Sequence, residues 1–153
     1  MASIVSLGYG VSEIHHQFAA IHGALFGAAS FRLAIIAMTG RTTKSYREYL
    51  QTLEQLQTRL SGFAAEIPIA EVVTAADQAG QLRGALSEYV ATLDTAIAEL
   101  KGICTQLLQD EDAYRDTPKG EQSAFNRDKI HYDRVLLRLE KMGSRLNRLF
   151  SRF

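Results

Sequence analysis

Residues 125–153 read FNRDKIHYDRVLLRLEKMGSRLNRLFSRF. Apolar residues recur there every three or four positions, at Phe125, Tyr132, Val135, Leu136, Leu139, Met142, Leu146, Leu149, Phe150 and Phe153. That period belongs to an α-helix with one face to bury, and it excludes a strand, whose side chains alternate with period two. On a helical wheel a second set, Arg127, Arg134, Arg138, Lys141, Arg145, Arg148 and Arg152, falls within a sector roughly 80° wide. Of the eight bases in this segment, only Lys129 lies off that sector. The segment therefore reads as a helix with a basic rail, roughly 35–40 Å long, beside a face that needs cover.

Working upstream, the same period dominates. A first helix is expected from Ser12, a plausible N-cap, to Met38, with a turn or kink at Thr39-Gly40-Arg41-Thr42-Thr43. A second, near 43–64, carries Tyr49, Leu53, Leu56, Leu60 and Phe63 at heptad spacing and stops at Ile67-Pro68. A third runs from Ile69 to about Leu108 on Leu82, Leu86, Tyr89, Val90, Leu93, Ile97, Leu100, Cys104 and Leu107, with Gly80 and Gly84 weakening its start. QDEDAYRDTPKGEQ, residues 109–122, is a polar break with Pro118 and Gly120 at a turn or sharp kink. The fold class is all-α: long amphipathic helices forming one domain over 1–153, an elongated bundle or antiparallel coiled coil. The unequal helix lengths leave Leu93, Ile97 and Leu100, with Tyr132, Leu136 and Leu139, on a two-helix arm. A second subunit is the natural cover for such a seam, so a homodimer is expected.

Composition narrows the function classes. With 17 basic and 17 acidic residues the protein is neutral, so its basic rail is a local feature. Its lone cysteine, Cys104, sits among apolar residues and reads as a buried, inert thiol in a reducing compartment. The start, MASIVSLGYG, lacks the basic n-region of a secretory signal. Ala19–Met38 has bilayer-spanning length, but Arg32 near its middle disfavours insertion, so a buried or surface-lying helix is expected.

Two readings of the rail follow. Residues 48–112 carry eleven acids against three bases, so the rail could lie against this acidic stretch, bringing Arg138 near Asp94 and Lys141 near Glu88. Alternatively it meets a polyanion. The absence of aromatics interleaved with the bases, and of any nucleic-acid motif, favours anionic lipid over nucleic acid.

The segment RDKIHYDRVLLRLEKM, Arg127–Met142, resembles the middle of the second helix of BAR domains. The likeness is carried by Arg127, Lys129, Ile130, the pair Tyr132-Asp133, Arg134 or Arg138, and Leu139-Glu140 with Met142. Upstream, a helix ending near Ile67-Pro68 and a long helix containing LSEYVATLDTAIAEL follow the same order of elements, so the likeness covers about 41–142. It implies a dimeric helical module that binds and curves anionic membranes, with Arg127 and Lys129 in membrane contact and Tyr132-Asp133 structural. It also implies that residues 1–30 serve as an amphipathic N-terminal segment. The family's third long helix has no counterpart here, and Thr117-Pro118-Lys119-Gly120 is a stronger break than the family's kink.

Glu13-x-x-His16 and Asp128-x-x-His131 imitate half-sites of helical di-metal proteins, but antiparallel packing would hold them far apart. His15 and His22 share the apolar stripe of Phe18 and Leu25 and read as half-buried core histidines. There is no phosphate-cradling loop, nucleophile elbow or Cys–His pairing, so no catalytic residue, metal or cofactor is expected. The expected function is a BAR-like membrane-binding or curvature-sensing scaffold, cytoplasmic and peripheral to the membrane. It would act through Arg127, Lys129, Arg134, Arg138, Lys141, Arg145, Arg148 and Arg152. The alternatives are a helical adaptor for an acidic protein partner and, further off, a subunit touching nucleic-acid backbone.

Overall fold

The computed structural model describes residues 2–26, 42–74, 76–109 and 119–151, apart from the side chains of 42–45, 107, 109 and 119–126. Four α-helices make up the described chain: α1 (Ile4–Phe26), α2 (Thr42–Glu66), α3 (Ala76–Gln109) and α4 (Lys119–Phe150). A 3₁₀ turn, Ile67–Ile69, follows α2. The all-α expectation holds. The breaks expected at Gly40 and Pro118 lie outside the described residues, as do Arg152 and Phe153 of the closing segment and the side chain of Phe125.

α1 begins eight residues before the expected Ser12. Ser3 is its cap: the Ser3 Oγ accepts from the Ser6 N–H at 3.1 Å, and the Ser3 carbonyl accepts from the Leu7 N–H at 3.0 Å. From there Ile4, Leu7, Val11, Ile14, Phe18 and Ile21 form a buried stripe at strict three–four spacing. Gly8 and Gly10, which obscured this stripe in the sequence, are places of close approach. An added Cβ at Gly8 would lie 2.9 Å from Phe150, and one at Gly10 would lie 2.5 Å from Phe63.

α3 starts at Ala76 rather than Ile69. After the 3₁₀ turn the backbone is extended at Ala70, and Glu71 clips the N-terminus in place. The Ile4 N–H donates to the Glu71 carbonyl at 2.9 Å, and the Glu71 N–H donates to the Ala2 carbonyl at 3.0 Å. This makes a single parallel bridge between Ser3 and Glu71. Arg83 holds the same segment from the α3 side, its guanidinium donating to the Ala70 carbonyl at 2.7 Å. Backbone groups that a longer helix would have satisfied internally are paired here with the chain's own start.

One hydrophobic cluster runs through all four helices. α2 contributes Leu53, Leu56 and Leu60 of the expected heptad seam, and α3 contributes Leu82, Leu86, Val90, Leu93, Ile97, Leu100 and Cys104. α4 adds Tyr132, Val135, Leu139 and Leu146. The seam for which a second subunit was expected is covered within the chain. Leu93, Ile97, Leu100 and Tyr132 are fully buried, and Phe18 of α1 packs edge-on against Tyr132 with ring centroids 6.4 Å apart. Phe18, within the expected span of α1, supplies part of that cover. Among the described residues, no helix is long and apolar enough to cross a membrane; the window Ala19–Met38 runs into residues outside them.

Candidate functional site

α4 packs against α3 on one side and runs antiparallel to α1 on another. The register against α3 is fixed by Thr92, whose hydroxyl bonds back to the Glu88 carbonyl at 2.9 Å and lies 3.0 Å from the Met142 sulfur. It is fixed again by His131, whose Nδ1 meets the Glu99 carboxylate at 2.6 Å. In this register Glu88 meets Arg145 at 3.5 Å, one turn beyond the expected Lys141. Arg138 and Asp94 form no ion pair. Among the described residues the acidic stretch meets the rail at Glu88–Arg145, an exposed pair that contributes little.

The rail is otherwise turned to solvent. Arg127, Arg134, Arg138, Lys141, Arg145 and Arg148 are all exposed. Arg134, Arg138, Lys141 and Arg148 have no ion-pair partner among the described residues. Arg152 lies outside them. Lys129, the base that the wheel placed elsewhere, is engaged inward: its ammonium pairs with Asp133 at 2.7 Å and sits 4.7 Å from the ring centroid of Phe26. Two aliphatic side chains, Ile130 and Leu137, are exposed at the edge of the rail, 53% and 58% accessible. The sequence named Ile130 only as part of the family likeness and did not single out Leu137.

Beneath Lys129 lies a buried aromatic cluster. Tyr132 is fully buried, its ring against Phe18, Phe26 and His22. Its hydroxyl is 2.8 Å from the His22 Nδ1. Burial, then the neighbouring Lys129, lowers the His22 pKa, with Asp133 opposing; burial drives the Tyr132 hydroxyl upward. The two share a hydrogen bond whose donor is set by the imidazole tautomer. Tyr132-Asp133, the signature pair of the BAR resemblance, thus ties α4 to α1 and to its own preceding turn.

Between α1 and the second half of α4 the surface opens into a groove of about 740 Å³. Its floor is Tyr89, with His15 and His16 on one wall and Glu140, Gly143 and Asn147 on the other. A Cβ at Gly143 would lie 3.3 Å from the Tyr89 ring, so a small residue lets α4 ride close over α3 here. Burial, then His16, lowers the His15 pKa, and burial raises Tyr89 to about 12. Both groups are neutral at pH 7, and with Glu140 exposed across the groove they make no nucleophile–base pair.

The two carboxylate-x-x-His pairs do not converge. Glu13 lies 3.7 Å from Arg59 of α2, His16 faces the groove, and His131 holds Glu99. Among the described residues no group of three metal-ligating side chains forms. Cys104 is fully buried, with its thiol pushed up to about 12 by burial.

No protein-family model, curated protein or solved structure matches this chain.

Proposed function

We propose that this protein is a peripheral, BAR-like helical module that docks onto anionic membrane through the basic face of α4, and that it is a binding protein rather than a catalyst. The observation carrying this reading is the row Arg134, Arg138, Lys141 and Arg148. It is exposed along one helix and without ion-pair partners among the described residues, although residues 48–112 hold eleven acids. Cations left in solvent on one side of a neutral protein contribute little to its fold. Each is worth about 1 kcal/mol when brought to an anionic lipid surface. A second copy of the chain would double the face presented to a membrane, and equilibrium sedimentation tests for it.

Co-sedimentation with phosphatidylserine-rich vesicles tests the proposal. Binding should weaken steadily with salt. The triple reversal Arg138→Glu, Lys141→Glu, Arg145→Glu should abolish it while helical circular dichroism stays unchanged. Absence of binding by the parent protein at low salt refutes it.

A second reading rests on the groove between α1 and α4. An open slot between two helices fits an amphipathic partner helix, which would make the protein an adaptor. Binding of a partner that survives the triple reversal and is lost on filling the slot with Ser144→Trp, at an exposed residue of its lining, favours this reading.

A further inference from the structure

Ile130 and Leu137 are seven residues apart, two helical turns, so their side chains stand on one line of α4. On the wheel this line borders the sector of Arg127, Arg134, Arg138, Lys141 and Arg148, so bases flank the pair along the helix. A single exposed aliphatic residue is ordinary on any protein surface. Here the other large apolar residues of α4 with described side chains, Tyr132, Val135, Leu136, Leu139, Met142, Leu146, Leu149 and Phe150, belong to the core cluster or pack against it. The two that do not are both at the edge of the basic face, 53% and 58% exposed.

We infer that Ile130 and Leu137 are insertion residues: when the basic face docks, they enter the headgroup–acyl boundary of an anionic bilayer while the surrounding arginines and Lys141 hold the phosphates. This rests on the lipid reading above and specifies how the surface is engaged. Charge complementarity gives the sign of the surface. The form of the face gives its kind. Protein hot spots sit in close-fitting, desolvated pockets. Ile130 and Leu137 instead project from a single convex helix, where a deformable lipid interface can close around them. The arrangement matches that of an interfacial helix, whose long basic side chains reach outward to headgroups while aliphatic neighbours dip below them. The α1–α4 groove plays no part, since none of its lining residues is Ile130 or Leu137.

The chain contains no tryptophan, so one introduced on this line is a unique probe of depth. Leu137→Trp and a control on α2, Gln55→Trp, are to be mixed with phosphatidylserine/phosphatidylcholine vesicles, with and without acyl-chain bromination. The probe at 137 should shift to shorter wavelength and be quenched by brominated lipid, and the control should do neither. In parallel, Ile130→Ser combined with Leu137→Ser should keep its low-salt binding but lose roughly tenfold or more of the binding that survives at high salt, because apolar insertion is not screened. A bound protein whose probe at 137 stays water-exposed and unquenched overturns insertion and leaves electrostatic docking standing. Failure of the parent protein to bind vesicles at low salt overturns both.

Discussion

The hydroxyl of Tyr132 lies 2.8 Å from Nδ1 of His22, joining α4 to α1 across 110 residues of sequence. Around that bond the rings of Phe18 and Phe26 close the top of the core, and Lys129 lies over Phe26. The arrangement makes the docking of α1 depend on one residue of the helix that carries the basic face.

Tyr132→Phe keeps the ring and removes the hydroxyl, so it should cost about 0.5–1.5 kcal/mol of unfolding free energy in urea titrations. Tyr132→Ala also opens a cavity beneath α1 and should cost about 3–5 kcal/mol. A Tyr132→Phe variant as stable as the parent would show that the hydroxyl bond contributes nothing.

Burial of two histidines makes stability pH-dependent. His15 and His22 both have pKa values below the ordinary 6.5 in the folded protein, chiefly through burial. The unfolded chain therefore binds protons before the folded one does. Stability is fully present above the unfolded value and is lost as pH falls through about 6.5 toward the folded values. Unfolding midpoints should drop between pH 7.5 and 5.5. His22→Asn, whose side-chain oxygen can accept from Tyr132 without titrating, should flatten the drop.

Glycine substitutions should divide by surroundings. Gly80 and Gly84 in α3 are exposed, and an added Cβ would meet nothing within 4 Å. Alanine at either should raise stability by about 0.5–1 kcal/mol. At Gly10 the same change drives a Cβ to 2.5 Å from the Phe63 ring, and overpacking of about 1–3 kcal/mol should cancel or reverse the gain. Thermal melts of the three variants check this ordering.

Neutralising Arg138 or Lys141 one at a time should leave unfolding free energy within about 0.5 kcal/mol of the parent, since both are exposed and neither has an ion-pair partner among the described residues. Each should weaken binding to phosphatidylserine-rich vesicles by about fivefold, the equivalent of about 1 kcal/mol per charge. Loss of stability without loss of binding would return these residues to a structural role.

Cys104 should be silent toward thiol reagents in the folded protein. It is fully buried and its thiol is pushed up to about 12, so little thiolate is exposed at pH 8. Its rate of modification should track unfolding as denaturant is added. Rapid labelling under native conditions would show that α3 opens locally near residue 104.

The order and character of the helices were legible because they are set by local periodicity. Leu53, Leu56 and Leu60, the run from Leu82 to Cys104, and the apolar and basic faces of α4 follow from spacing alone. Two boundaries were not legible. Gly8 and Gly10 interrupt the stripe of α1, and their reason for being there, the rings of Phe150 and Phe63, lies far away in sequence. Likewise 70–74 could have continued a helix, but Glu71 pairs its backbone with Ala2 and Ile4 instead.

The charge of α4 was visible in sequence, but its fate was not. Spacing determines that the bases share a face, because a helix repeats every 3.6 residues whatever surrounds it. Whether a charge is spent inside the protein depends on register and on which helix lies alongside. Tertiary packing paired Lys129 with Asp133 and Phe26, slid Arg145 to Glu88, and left Arg134, Arg138, Lys141 and Arg148 facing water. It also brought α1 over the seam of α3 and α4, because a long apolar stripe must be covered and the nearest complementary stripe belonged to the same chain.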